Sequence, residues 1–271
     1  MLKFLGNKHN TVLGIDITSS SVKILEISGS GDKLCIENYG REVLAPNTLD
    51  GNVIKDVGAI TQCIKKITNK VHFNSKCVAL AVPDSLVITK VVQLNEGLND
   101  QELEELVAIE ADKFIPYPLD EINLDFEVQG HSAKNTAMLD VLIVASRSEN
   151  VSNRIDAVNQ ADLDVRIIDV ESYAVERAAQ LLIKETAQKH QKIVAIIDIG
   201  VNFTHLFVLQ GGHLVFSREE KFGATQIIQA IAEHYKMSVE EAKSAREQKK
   251  VPEDYKIKVI EPFKEKVLLQ I

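Results

Sequence analysis

The chain has 271 residues, 45% of them apolar and 26% charged, so it can bury a sizeable core, and its length predicts two lobes rather than one. A net charge of -8 argues against a nucleic-acid surface, because a phosphate backbone is held by a clustered positive field that Lys249-Lys250 is too short to supply. Cys35, Cys63 and Cys77 follow no C-x-x-C spacing and the histidines form no H-x-x-x-H helix, which predicts a reduced, cytosolic protein without structural zinc.

In chain order, the opening residues 1–8 carry too short an apolar run for a signal peptide, and no later stretch offers the ~18 apolar residues of a membrane span. Membrane association is therefore expected only through partners. Residues 12–18 (Val-Leu-Gly-Ile-Asp-Ile-Thr) read as a buried strand with Asp16 near its end, Ser19-Ser20-Ser21 as a tight polar turn, and residues 22–25 as a second strand. A turn over 29–32 leads to a third strand at 33–39. Residues 57–70 place Ile60, Ile64 and Ile67 on one helical face, and 77–82 form a buried strand stopped by Pro83. Strands followed by a helix and a strand predict a mixed α/β first lobe over 1–94.

A different texture predicts an inserted small subdomain over 95–164. Asn99 and Glu102 make a capping box for a helix with Leu103, Leu106, Val107 and Phe114 on one face, and Pro116 ends it. Ile115-Pro116-Tyr117-Pro118-Leu119 must be extended or turned, since each proline restricts the residue before it. Strands at 123–129 and 139–145 and a helix at 150–160 follow. Residues 165–191 return to the first lobe as a strand (165–170) and a helix (171–184). The second lobe, 192–271, holds a helix at 225–236 with Ile228, Ile231, Ala232 and Tyr235 on one face, then a capping box from Ser238 and Glu241. An apolar stripe of Phe263, Val267, Leu268 and Ile271 still runs at the last residue, so the second lobe is expected to be incomplete and its C-terminal part missing.

The second lobe opens on a copy of the first hairpin. Residues 194–200 (Val-Ala-Ile-Ile-Asp-Ile-Gly), the turn 201–203 and the strand 204–207 repeat the pattern, with Asp198 standing 182 positions after Asp16. Two such hairpins can hold a polyphosphate, their carboxylates facing its magnesium ion through water. In the first turn Thr18, Ser19, Ser20 and Ser21 offer hydroxyls and backbone N–H groups to an anion, and Lys23 adds positive charge. A serine-rich surface turn would look the same in isolation. In the second, Gly200 frees the backbone and Asn202 tolerates left-handed geometry, while Asp198 alone reads equally as a turn cap. The repetition in register favours nucleotide binding.

Glu171 stands where a strand gives way to a helix, a place for orienting an attacking water and equally for an acid that complements a helix N-terminus. Neither G-x-x-x-x-G-K-[ST] nor G-x-S-x-G occurs, which removes the P-loop and α/β-hydrolase readings.

The duplicated hairpins, Glu171 before a helix and the insertion resemble the actin-like ATPase superfamily, an α/β, two-lobed fold. Asp16 through Lys23 looks like its first phosphate motif, Asp198 through His205, with Thr204, like its second, and Glu171 like its first connecting motif. Residues 13–23, 113–121, 145–151 and 170–174 resemble more closely the PilM family of type IV pilus assembly, which is itself similar to the division protein FtsA. The Ile-Pro-Tyr-Pro-Leu segment, Ile115 to Leu119, is the most discriminating piece. The resemblance implies a cytoplasmic scaffold at the inner membrane that binds ATP and magnesium, the N-terminal cytosolic tail of PilN and other inner-membrane pilus components. It puts the tail in a groove between the first lobe and the insertion, near Ile115, Pro116, Tyr117, Pro118 and Leu119, and places a glycine-rich adenosine motif beyond residue 271. Slow or no hydrolysis is expected. The rivals are an active ATPase or sugar kinase of the same superfamily, and a cytosolic domain like GspL of type II secretion.

Overall fold

The computed structural model describes residues 11–31, 33–133, 135–183 and 193–270. Asp32, Lys184, Ile271 and the opening segment 1–8, which figure in the expectations above, lie outside them. The chain divides into two compact units, Met1–Ala174 and Val175–Ile271.

The first unit opens with β1 (Leu13–Ile17), β2 (Ser21–Ser28) and β3 (Cys35–Val43), an antiparallel run. The short pair β4 (Leu49–Asp50) and β5 (Val53–Ile54) leads to α1 (Val57–Lys70), whose first turn is capped by the Asp56 carboxylate accepting the Ala59 N–H at 2.9 Å. Ile60, Ile64 and Ile67 are fully buried on the predicted face. β6 (Cys77–Val82) then pairs parallel with β1, and Pro83 ends it, since it lacks the N–H a further pairing would need.

Next comes a strand absent from the sequence expectations, β7 (Val87–Asn95). It is followed by α2 (Asp100–Asp112), started by a complete Asn99–Glu102 capping box, and by β8 (Ile122–His131) and β9 (Met138–Arg147). These strands make a separate antiparallel sheet in the order β7-β9-β8, and Val92, Val107, Ala111, Ile115, Val141 and Ile143 form its core.

α3 (Ser148–Asn159) and β10 (Asp164–Val170) return the chain to the large sheet, where β10 pairs parallel with β6. The order is β10-β6-β1-β2-β3, with Leu13, Ile24, Ile64, Val78, Ala157 and Val158 in one buried cluster. Within the expected insertion 95–164, β8 and β9 share their sheet with the preceding β7, while Ala157, Val158 and Ala161 of the α3 region pack in the large-sheet core.

α4 (Glu171–Ile183) begins in the first unit and ends in the second. The second unit thus starts before the expected residue 192. The physical reason is that Gln180 donates to the Gly212 carbonyl at 3.0 Å and the Glu176 carboxylate accepts the Leu214 N–H at 2.8 Å, binding this end of α4 to the later chain. β11 (Ile193–Ile199), β12 (Thr204–Gln210) and β13 (His213–Glu220) form an antiparallel meander. The expected burial of the first of these does not hold: Ile193, Ile197 and Ile199 are exposed. α5 (Thr225–Tyr235), α6 (Val239–Glu247), with its Ser238–Glu241 capping box, and α7 (Glu261–Gln270) follow. Ile227, Ile231, Ala242 and Val259 form their core. In the terminal stripe Phe263 stacks on Phe222 at 5.0 Å between ring centroids, whereas Leu268 is exposed.

Candidate nucleotide and partner sites

The two hairpins close in the same way. In the first, the Thr18 N–H donates to the Ser21 carbonyl at 3.0 Å; in the second, Gly200 donates to Phe203 at 2.9 Å, and both bonds stand at matched positions of the repeat. Asp16 faces Lys23 across β1 and β2, and Asp198 faces His205 across β11 and β12. Directly opposed residues share a face of the sheet, so each hairpin sets a carboxylate beside a basic side chain near its turn.

The details then diverge. Lys23 Nζ lies 2.7 Å from Asp16 Oδ2, and both side chains remain accessible, at 38% and 50%. The Thr18 hydroxyl donates to the Ser21 carbonyl at 3.0 Å and accepts the N–H groups of Ser20 and Ser21 at 3.4 and 3.2 Å. Those two N–H groups, offered to an anion by the sequence reading, are turned onto Thr18 instead. Thr18, Ser19 and Ser20 are half-buried, whereas Ser21 is 1% exposed and its hydroxyl has no partner among the described residues. Ser21 thus forms the inner wall of the turn.

In the second hairpin Asp198 is exposed, and a Cβ on Gly200 would stand 2.8 Å from the Phe203 carbonyl oxygen, so only glycine lets this turn close unstrained. His205 Nε2 lies 2.9 Å from Glu219 Oε2 on β13, with the imidazole stacked near Phe207. Thr204 is buried and its hydroxyl donates to the Phe222 carbonyl at 2.7 Å, which makes it a tie within the fold rather than an exposed ligand group. Asn202 Oδ1 accepts the Thr225 hydroxyl at 2.7 Å.

Two residues that sequence reasoning missed hold this second turn. The Ala224 and Thr225 N–H groups donate to the Gly200 and Val201 carbonyls at 3.0 and 2.9 Å, so the start of α5 is fastened to the turn by its backbone. Such an approach needs Gly223, where a Cβ would meet the Val201 oxygen at 2.5 Å. A glycine just before a helical pattern was the available signal.

Glu171 is the first residue of α4, half-buried, and the Ser172 N–H beside it donates to Asp84 at 3.3 Å. Its charge acts on Arg154 of α3, another missed residue, which is 1% exposed. The guanidinium donates to the Asn150 and Asn52 carbonyls at 2.8 and 3.0 Å. Burial pulls the Arg154 pKa down to about 10, against the favourable field of Glu171.

At the predicted partner corner, Ile115 is buried in the inserted core and is unavailable to a ligand, because it is the last apolar contact of the α2 face. Pro116, Tyr117, Pro118 and Leu119 are exposed, and the Arg147 guanidinium lies 5.5 Å from the Tyr117 ring centroid. A rigid apolar corner with one aromatic handle results.

A family model described as type IV pilus assembly protein PilM matches residues 14–271. The chain belongs to the PilM family. A solved PilM-PilN type IV pilus biogenesis complex superimposes with a TM-score of 0.77 at 22% identity, covering 96% of this chain and 74% of that one. The ethanolamine utilization protein EutJ from Carboxydothermus hydrogenoformans gives 0.50 at 14% identity, covering 88% of this chain and 61% of its own. The mixed α/β fold is the one these two structures share, in line with the actin-like fold the resemblance implied. No helix among the described residues is long and apolar enough to cross a membrane.

The Arg154 cluster was invisible beforehand because it depends on contacts between segments far apart in the chain.

Proposed function

We propose that this protein is a nucleotide-binding scaffold of type IV pilus assembly, holding magnesium ATP through its two aspartate hairpins and the cytosolic tail of PilN beside the inserted sheet. The observation that carries the reading is the repeated turn: two segments 182 positions apart close with the same bond and set a carboxylate opposite a basic group. One such turn is ordinary surface structure; a matched pair is an arrangement that can serve a polyphosphate.

The donor set suits the ligand. Asp16 and Asp198 offer hard oxygens to magnesium, which keeps much of its hydration shell and is met through water. Lys23, with Thr18, Ser19, Ser20, Gly200 and Asn202, would face the phosphates. Bound nucleotide supplies a polyanion that favours one conformation of the protein over others. Glu171, at the start of α4, is the residue we assign to orienting water, with slow or no hydrolysis.

The exposed Pro116-Tyr117-Pro118-Leu119 corner takes part of the PilN tail, with the tail in extended form and its apolar side chains against Tyr117 and Leu119. The protein then works in the cytoplasm, peripheral to the inner membrane through PilN and further pilus components. Titration of the isotopically labelled protein with a PilN tail peptide tests this. Resonances over 116–125 should shift at low peptide ratio, and shifts confined to the hairpins would overturn the groove.

A further inference from the structure

The insertion joins the large sheet through two connections, residues 83–86 leading into β7 and the Arg147-Ser148 step leading from β9 into α3. Both end in one polar cluster. The Ser146 hydroxyl at the close of β9 donates to the Leu86 carbonyl at 2.8 Å, tying the connections to each other. Asn52, in the turn between β4 and β5, donates from its side chain to the Ser85 hydroxyl at 2.7 Å and accepts Arg154 on its carbonyl at 3.0 Å. Asp84 accepts the Ser172 N–H at 3.3 Å, one residue from Glu171. Arg154, Asn52, Ser85, Asp84, Ser172 and Glu171 therefore form one linked set that runs from the root of the insertion to the start of α4.

We propose that Arg154 is a positioning residue that, with Asp84, couples occupancy of the Pro116–Leu119 corner of the insertion to nucleotide binding at the Glu171 end of α4. The proposal rests on the functional reading above. Its physical basis is the burial of a charge. A guanidinium 1% exposed cannot replace a lost carbonyl partner with water, so leaving one unmet costs more than moving the segment that bears it. A small shift of the inserted sheet displaces Asp84 at one connection and α3 at the other. The cluster passes that displacement to Ser172 and Glu171 instead of absorbing it. A surface ion pair at the same place would let solvent take up the slack.

The test is calorimetric titration of magnesium AMPPNP into the protein with and without saturating PilN tail peptide, for wild type, Arg154→Met, Asp84→Ala and the double variant. Wild type should show a change of nucleotide affinity of about fivefold or more on adding peptide. That factor should fall to within about twofold of unity in each single variant, and the double variant should lose nothing further. Each ligand alone should bind the variants nearly as it binds wild type, a result that mere structural damage would not give. Asp84 is only half-buried, so Asp84→Ala keeps the test in force if Arg154→Met fails to fold. Unchanged coupling in Asp84→Ala overturns the proposal, as does wild type that binds both ligands without coupling. Wild type that binds neither ligand alone overturns the functional reading, and the single-ligand titrations separate that outcome from the others.

Discussion

Lys23 stands directly across the first hairpin from Asp16, with its ammonium 2.7 Å from the carboxylate. Both groups are accessible to solvent, so the pair contributes at most about 1 kcal/mol to stability. In the proposed site this cation, beside the turn, would meet an arriving phosphate. Lys23→Met should therefore unfold within about 1 kcal/mol of wild type in urea, yet lose about ten- to hundredfold in nucleotide affinity, the value of a charge-assisted hydrogen bond. Equal losses in both measurements would make the lysine a structural residue.

At the second hairpin the critical position is Gly223. A methyl group there meets the Val201 and Gly200 carbonyl oxygens at 2.5 and 2.7 Å, and backbone cannot swing aside as a side chain would. Gly223→Ala is expected to destabilise the second unit by about 2 kcal/mol and to detach the start of α5 from the turn. Amide exchange checks this: protection of the Ala224 and Thr225 N–H groups should fall, and unchanged protection would contradict the clamp.

How much of this was legible in the sequence followed from how local each cause was. The capping boxes at Asn99–Glu102 and Ser238–Glu241, and the apolar face of α1, are set by residues within one or two turns, and the structure reproduces them. The hairpins were legible because the repeat stated the pattern twice. β7 was not, since Val87, Thr89, Val91 and Gln93 face outward and blur its period, and its role depends on pairing with β9 some fifty residues later. Arg154 carried no signal at all, because an arginine on a helix is ordinarily a solvated one.

Glu26 makes a prediction about folding. Its side chain is fully buried in β2, where it accepts the Asn74 and Ser75 N–H groups at 3.0 and 3.2 Å and the Asn38 amide at 2.7 Å, fixing the loop that precedes β6. Glu26→Ala strands these donors in the interior and should cost about 3 kcal/mol in urea unfolding. Glu26→Gln keeps one acceptor oxygen and should cost less. A ΔΔG below about 1 kcal/mol for the alanine variant would show that water replaces the carboxylate.

Glu42 on β3 sets a pH dependence. The hydrogen bond from Lys70, 2.8 Å away, lowers its pKa below the ordinary glutamate value; burial opposes this more weakly, and the charges of Lys70 and Lys66 reinforce it. A carboxyl group lowered on folding stabilises the native state above its unfolded pKa and loses that contribution as the pH falls through the folded value. Carboxyl NMR should find Glu42 titrating below the ordinary glutamate range, and Lys70→Met should return it upward. No movement in the variant would assign the shift to another cause.

The central claim is that two matched hairpins serve one nucleotide. Calorimetry of magnesium ATP binding to wild type, Asp16→Ala and Asp198→Ala tests it most directly. The account predicts that each substitution alone weakens binding by at least about tenfold, because a magnesium polyphosphate deprived of either carboxylate loses a charge-assisted contact through water. Wild-type affinity in either variant would contradict it, leaving that hairpin a surface turn that happens to repeat its twin.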